Sequence, residues 1–321
     1  MAIKLWLTMS LTLLLLFGFL FGLLAAVGYF FDVSGYIIVV LAIFLVFLQW
    51  LIGPNIIWWT TNMRLLEKNE YPWLWESVRE LCKKNKVPMP KIALARVGAP
   101  NAFVFGRTPG SAVLTVTQGL LNSLSQEEVK AVIAHEIGHI KHKDMIVMTV
   151  VSAIPVIAYF IARFLIFAPR DRRRDAGAAV LVGFVAFIVY FISNLLVLAL
   201  SRLREYYADR FSGINTKPTL LASALAKITY GLSLSAERSE NAAVRSFYIA
   251  DPVSAAVEVK TLSSEYSDLS LSEKELEKAM EWEKKNPFAR ISEIFRTHPL
   301  TFKRITALKE LERELTSRKI K

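Results

Sequence analysis

Four long apolar runs divide this chain. One long polar segment lies between the second and third runs, and another follows the fourth. The apolar runs cover residues 5–31, 36–59, 145–168 and 176–201. Each run holds at least 24 residues, and about 20 apolar residues in a helix cross a hydrocarbon core of about 30 Å. The pattern predicts a mainly α-helical integral membrane protein with four transmembrane helices.

The first run has a signal peptide as its alternative interpretation, because Lys4 precedes it and Ala25 and Ala26 are small. Apolar cores of signal peptides span about 7 to 15 residues. This run is longer, and a second span follows almost at once. Two transmembrane helices are therefore expected within residues 1–62.

The polar segments predict one folded domain built from two pieces, residues 63–144 and 202–321, with the hairpin 145–201 inserted between them. Residues 73–86 are amphipathic and residues 218–234 also have a helical pattern. Short apolar runs predict three strands, of which the last two form a hairpin. The strands cover Ile92 to Val97, Ala102 to Phe105 and Ala112 to Thr117.

The strongest chemical signal is the sequence His135-Glu136-Ile137-Gly138-His139. Residues four apart lie on one helix face, so both histidines can bind one zinc ion. Ser125 and Glu128 form a capping box that starts this helix. Glu136 is then placed to take a proton from water, whose pKa zinc lowers to roughly 7. The alternative is a chance occurrence of two histidines and a glutamate at this spacing.

A catalytic zinc ion needs a third protein ligand and an open position. His142 lies roughly 10 Å along the helix axis from His135, too far to complete the site, so a second-shell or surface role is expected for it. Asp171 and Asp175 follow the third span and would lie across the bilayer. Glu205 is the first acid after the fourth span, so it is the predicted third ligand, with Asp209 one turn further on to hydrogen-bond a ligating histidine. The alternative interpretation of this segment is an ordinary charged membrane flank.

At these motifs the chain resembles the HtpX family of membrane-bound zinc metalloproteases, which are related to the prenyl-protein proteases of eukaryotes. The resemblance covers nearly the whole chain. It rests on the two amino-terminal spans, Pro100-Asn101-Ala102-Phe103, the histidine motif, Glu205-Tyr206-Tyr207-Ala208-Asp209 and Thr297-His298-Pro299.

The resemblance implies a zincin-like α+β metalloprotease domain with a small β-sheet and one zinc ion per chain. His135, His139 and Glu205 would be the ligands and Glu136 the catalytic base. Asp209 and His298 match family positions near the site, and His298 could stabilise an oxyanion. It also implies quality control, in which damaged or misfolded membrane proteins are cut.

A substrate peptide could add as a strand to the segment that begins at Asn101, Ala102 and Phe103, since main-chain hydrogen bonds bind any extended sequence. The alternative is that Asn101 only makes a turn after Pro100. Arg304 is interpreted as a structural ion-pair partner.

The formal net charge of +11 predicts contact with anionic lipid headgroups and no nucleic-acid partner. Most lysines and arginines lie in the two polar pieces, so the positive-inside rule places the active site at the cytoplasmic face of the cell membrane. Arg170 and Arg172–Arg174, between spans three and four, argue against that orientation. The one cysteine, Cys82, is expected to be a packing residue in a reducing compartment.

Two rival functions remain. A prenyl-protein protease would use the same chemistry on lipidated carboxyl termini, but such relatives have more spans. A non-catalytic scaffold with structural zinc would need four protein ligands, which are usually rich in cysteine. The sequence does not predict an oligomeric state.

Overall fold

A computed structural model describes residues 2–31, 35–167, 176–234, 280–281 and 283–319. In chain order its helices and strands are α1 (Ala2–Phe31), α2 (Gly35–Thr60), β1 (Met63–Leu65), α3 (Pro72–Asn85), β2 (Lys91–Ala95), β3 (Ala102–Phe105), β4 (Val113–Thr117), α4 (Gln118–Ser123), α5 (Gln126–Lys141), α6 (Asp144–Phe167), α7 (Ala176–Asn215), α8 (Pro218–Leu234), α9 (Pro287–Ser292) and α10 (Thr301–Lys319). Short 3-10 turns cover Pro109–Ser111 and Glu293–Phe295.

The four apolar runs form helices α1, α2, α6 and α7, as the sequence predicts. Each is long and apolar enough to cross a membrane. The fourth helix, α7, continues beyond the predicted span 176–201 to Asn215. At 40 residues it is roughly 60 Å long, about twice the hydrocarbon thickness, so its second half extends well past an apolar core.

The chain forms two compact units. The first comprises Met1–Gly53 and Ile146–Leu203, and the second comprises Pro54–Met145 and Arg204–Lys321. In the first unit α1, α6 and α7 pack through two apolar clusters, one around Leu16, Ile154 and Leu200 and one around Leu23 and Ala186. A hydrogen bond of 2.8 Å from Gln49 Nε2 of α2 to Ser152 Oγ connects α2 to α6.

The second unit contains a four-stranded mixed sheet in the order β1-β2-β4-β3. The β3–β4 hairpin and the position of β2 confirm the sequence prediction. The sequence did not predict β1, which has three residues and pairs antiparallel with β2. The central pair β2–β4 is parallel, and all five residues of β4 are buried, as expected for a strand covered on both faces.

Two apolar layers cover the sheet. On one side lies the main core, where Leu114 and Val116 of β4 meet Leu74 of α3, Ile133 of α5 and Leu225 of α8. On the other side Phe103, Phe105 and Val113 pack against Ile57, Trp58 and Met63. Cys82 lies in the main core at 3% exposure, which confirms the packing role expected for it. The sheet thus holds α5 against a rigid support.

Candidate metal centre

The histidine motif lies on α5, which begins as the sequence predicts. Ser125 Oγ accepts the backbone N–H of Glu128, and the Glu128 carboxylate accepts the backbone N–H of Ser125 at 2.8 Å. The Glu128 side chain also receives a hydrogen bond from Ser223 of α8. This reciprocal cap satisfies two backbone groups that a helix start otherwise leaves unpaired.

Gly138, inside the motif, lies at a close contact between α5 and α7. A Cβ atom at this glycine would lie 3.2 Å from the Cα of Ala208 and 3.3 Å from the side chain of Phe211. The absent side chain lets the two helices touch at the segment of α7 that carries Glu205 and Asp209. Both acids are thereby brought to the histidine face of α5.

The two imidazole rings point at each other, with their Nε2 atoms 3.1 Å apart. On the far side of each ring a carboxylate oxygen lies close to Nδ1. Asp209 Oδ1 lies 2.9 Å from His135 Nδ1, and Asp144 Oδ2 lies 2.5 Å from His139 Nδ1. A hydrogen bond to a carboxylate places the ring proton on Nδ1. Both Nε2 atoms therefore present lone pairs to the same point, which suits a cation.

Glu205 completes the cluster. Its Oε2 lies 3.5 Å from His135 Nε2 and its Oε1 lies 3.5 Å from His139 Nε2. Tetrahedral zinc with bonds near 2.05 Å would separate neighbouring ligand atoms by about 3.3 Å. The three separations lie within a few tenths of an ångström of that value, so these side chains fit one small metal ion. Glu136 offers a further carboxylate oxygen within 4.8 Å of the two rings.

The buried charges around the cluster give a second test of the fit. Four buried carboxylates belong to Glu136, Asp144, Glu205 and Asp209, and two buried guanidinium groups belong to Arg204 and Arg304. With all six groups ionised and the histidines neutral, as in a metal-bound site, two negative charges are left without a match among these described groups. Uncompensated buried charge is costly, and a divalent cation would cancel it.

The pKa values follow from this crowding. Burial raises the pKa of Glu136 above its ordinary value, which increases the proton affinity of its carboxylate. Burial lowers the pKa of His135, but hydrogen bonds to Asp209 and Glu205 outweigh it and the net pKa is raised. Burial and the facing His135 ring lower the pKa of His139. The opposite shifts favour a proton on His135 over one on His139.

Asp144 is the site residue that the sequence did not predict. The α5 helix ends at Lys141 with His142 as its cap, and Lys143 takes a left-handed φ of 59°, so the helix is interrupted there and α6 starts at Asp144. This turn carries the carboxylate back to His139. An acid five residues after the second histidine was the available signal.

Arg304 and His298 reach the cluster from the carboxyl-terminal part of the chain. Arg304, 1% exposed, contacts Asp209 at 2.9 and 2.6 Å and Glu205 at 3.1 Å. His298 Nε2 lies 3.7 Å from Glu205 Oε1, and its Nδ1 lies 2.9 Å from Thr297 Oγ1. Burial lowers the pKa of His298. The ion-pair role expected for Arg304 therefore includes the predicted ligand itself.

The predicted substrate residues lie at the edge of the sheet. β3 pairs only with β4 within the sheet, and α5 packs beside it. Asn101, Ala102 and Phe103 are 1%, 0% and 4% exposed. The Asn101 backbone N–H donates to Thr117 Oγ1 at 2.8 Å. Their side chains are thus buried, and an added strand could reach only the outer main chain of β3.

His142 is exposed and its ring contacts those of Tyr207 and Phe211. It is not part of the ring-nitrogen cluster. The loop with Arg170 and Asp171, and the serine-rich segment 264–272, lie outside the described residues.

Comparison with known proteins decides the family. The model of peptidase family M48 matches residues 68–312. This chain belongs to peptidase family M48. A "Protease HtpX homolog" of Methanothermobacter thermautotrophicus is 45% identical over 232 residues, 72% of this chain and 88% of that protein. The homolog of Pyrococcus furiosus is 32% identical over 324 residues, 98% of this chain and 99% of that protein. The M48 chain is therefore a member of the HtpX family, as its motifs predict.

The fold of this M48 peptidase has a solved counterpart. The crystal structure of S. mikatae Ste24p superposes with a TM-score of 0.52 at 22% identity, covering 95% of this chain and 67% of that one. This similarity shows the shared fold. With the family and the four apolar helices, the chain is a membrane metallopeptidase that binds a metal, acts on polypeptides and contacts lipid.

Proposed function

We propose that this chain is a zinc-dependent endopeptidase that cuts damaged or misfolded membrane proteins at the cytoplasmic face of the cell membrane. The observation that carries this proposal is the convergence of two His Nε2 atoms at 3.1 Å and of Glu205 at 3.5 Å from each. A carboxylate oxygen lies within 2.9 Å of the outer nitrogen of each ring, an arrangement typical of catalytic zinc sites.

His135, His139 and Glu205 would hold the zinc ion. When bound, zinc supplies Lewis acidity, which lowers the pKa of water and polarises the scissile carbonyl. Glu136 takes the proton from the attacking water and delivers it to the leaving amine. Its raised pKa suits both halves of that transfer, because a base with higher proton affinity pulls harder and its acid form is populated nearer neutral pH.

His298 is placed to stabilise negative charge on the substrate oxygen. Its Nδ1 faces the Thr297 hydroxyl at 2.9 Å and its lowered pKa keeps the ring neutral. If the Thr297 hydroxyl donates to Nδ1, Nε2 carries the ring proton. That N–H, on the side of Glu205, could then donate to a developing oxyanion. The outer main chain of β3, from Asn101 onward, would hold the peptide as an added strand.

Charge supports the orientation. Most of the lysines and arginines that give the formal +11 lie in the two polar pieces, and cytoplasmic segments carry that excess. Sided proteolysis in inverted and right-side-out membrane vesicles tests it. Digestion of residues 63–144 only in inverted vesicles is expected, and digestion only in right-side-out vesicles would reverse the assignment.

Cleavage of casein by the detergent-solubilised, zinc-loaded chain tests the activity. Glu136→Gln should retain zinc and lose about 10² to 10⁴-fold in kcat, the usual contribution of a general base. Glu127→Gln, an exposed acid of the same helix, is the matched control and should cut like the native chain. If neither native chain nor control cuts although each holds one zinc, the general endopeptidase proposal fails. A protease restricted to lipid-linked carboxyl termini, or a scaffold, would then be the better explanation.

A further inference from the structure

Two buried charged groups next to His139 have no role in the mechanism above. They are Asp144, the first residue of α6, and Arg204 in α7, which are 7% and 4% exposed. We propose that Asp144 and Arg204 are positioning residues, which hold the His139 ring and its tautomer so that Nε2 remains available to the metal.

The geometry gives each oxygen of Asp144 one partner. Oδ2 accepts the hydrogen bond from His139 Nδ1 at 2.5 Å, and Oδ1 forms an ion pair with Arg204 Nη2. With the proton on Nδ1, the ring turns its lone pair on Nε2 toward Glu205. The pair therefore determines both the direction of the ring and which nitrogen can bind metal.

The same order of groups recurs at the other histidine, where α7 supplies the carboxylate and α10 the arginine. There Asp209 contacts His135 Nδ1 at 2.9 Å and Arg304 at 2.6 Å. Two histidines that each face a carboxylate, which in turn pairs with an arginine, give the two predicted ligands matching support. The sequence motif accounts for Asp209, whereas Asp144 and Arg204 come together only through the turn at Lys143 and the length of α7.

Fold stabilisation alone is a poor explanation of the pair. Taking two charges out of water offsets most of their attraction, so buried ion pairs contribute little net stability. Among the described residues, neither Nη1 nor Nη2 of Arg204 has a hydrogen-bond partner, although Nη2 lies in ion-pair contact with Asp144, which adds a cost. Asp144 lies in the first turn of α6, where a negative charge interacts favourably with the helix dipole. That interaction does not require contact with His139.

Metal dissociation from the full-length chain in lipid nanodiscs tests the proposal without substrate. The chain is loaded with one Zn²⁺, and transfer of zinc to a chromophoric chelator is followed. Asp144→Asn should weaken zinc binding about 10 to 100-fold, the usual effect of removing a carboxylate behind a ligating histidine. Arg204→Gln should act in the same direction, Arg204→Lys should restore most of the affinity, and the double variant should lose less than the sum of the two.

Matched controls come from a second ion pair of α7, Arg210 with Glu314 at 3.2 Å. Arg210→Gln and Glu314→Gln remove the same charges away from the histidines and should leave zinc affinity unchanged. Replacing zinc by Co²⁺ adds a spectroscopic readout, since the d–d bands should shift in Asp144→Asn and not in either control.

Unchanged zinc affinity and unchanged Co²⁺ bands in Asp144→Asn would overturn the proposal. So would an equal loss of thermal stability with zinc and with chelator, because that indicates a purely structural pair. If Asp144→Asn does not fold, the Arg204→Gln and Arg204→Lys comparison decides. The inference rests on the proposed zinc site: a native chain that binds no zinc removes both, whereas tight native binding with unaffected variants removes only the positioning role.

Discussion

Replacing Arg304 by methionine tests the charge balance of the metal centre. The guanidinium group is 1% exposed and neutralises Asp209 at 2.6 Å and Glu205 at 3.1 Å. Methionine keeps most of the volume but leaves one more buried negative charge. Removing one partner of a buried pair costs about 3 to 5 kcal/mol.

That cost is measurable as a shift in melting temperature. A change of 1 kcal/mol moves the midpoint by about 2 to 4 °C in proteins of this general size, so Arg304→Met should melt about 6 to 20 °C below the native chain. Cys82 supplies the assay, because its thiol is buried at 3% exposure and is the only one in the chain. A thiol-reactive dye then fluoresces only as the second unit unfolds.

Zinc and a surface variant make the experiment selective. Bound zinc offsets part of the unmatched charge, so the loss in Arg304→Met should be larger in chelator than with zinc. Arg210→Met breaks the more exposed pair with Glu314 and should cost at most about 1 kcal/mol. Equal melting temperatures for the two variants, or a loss that zinc does not change, would refute the charge balance argued here.

Three further predictions remain: two concern packing at glycines and the third concerns the thiol of Cys82. Gly138→Val should lower both zinc affinity and casein cleavage by about tenfold or more, because the added side chain forces Ala208 and α7 away from the histidines. Zinc titration and the casein assay measure the two effects, and full activity would contradict the helix contact. Gly119→Ala should destabilise the chain by about 3 kcal/mol in the same melting assay, since the added Cβ would lie 1.9 Å from the Gly98 carbonyl oxygen. An unchanged melting midpoint would contradict this close contact between Gly119 and Gly98. Burial raises the pKa of Cys82 to about 11. At pH 9.5, where an ordinary thiol is mostly ionised, alkylation of Cys82 should therefore be slow, and it should speed up only as the pH nears 11 or when denaturant is added. Mass spectrometry measures the labelling, and rapid labelling of the folded chain at pH 9.5 would contradict this.

Local patterns were enough to predict most of the secondary structure that carries the site. The four spans follow from run length, and the start of α5 follows from Ser125 and Glu128. The β3–β4 hairpin follows from two apolar runs around Gly106–Ser111, and α8 has the predicted bounds Pro218–Leu234. These features depend on residues a few positions apart, whose hydrogen bonds and solvation are decided within one element.

Pairings between distant elements lie beyond local patterns. The strand β1 is only three residues long and forms because β2 offers it an edge. Glu205 could be predicted only because a catalytic zinc ion demands a third ligand and few acids were within reach. Arg304 was expected to form an ion pair, but its two partners could not be named.

By itself the sequence determined that the chain crosses a membrane, that α5 starts at Ser125 and that two histidines share one face of that helix. The tertiary structure decided what lies behind each ring: Asp209 and Arg304 at His135, Asp144 and Arg204 at His139. The physical reason is range. Helix periodicity and capping act over a few residues, whereas the direction of a hydrogen bond and the balance of buried charge depend on segments that only the folded chain brings together.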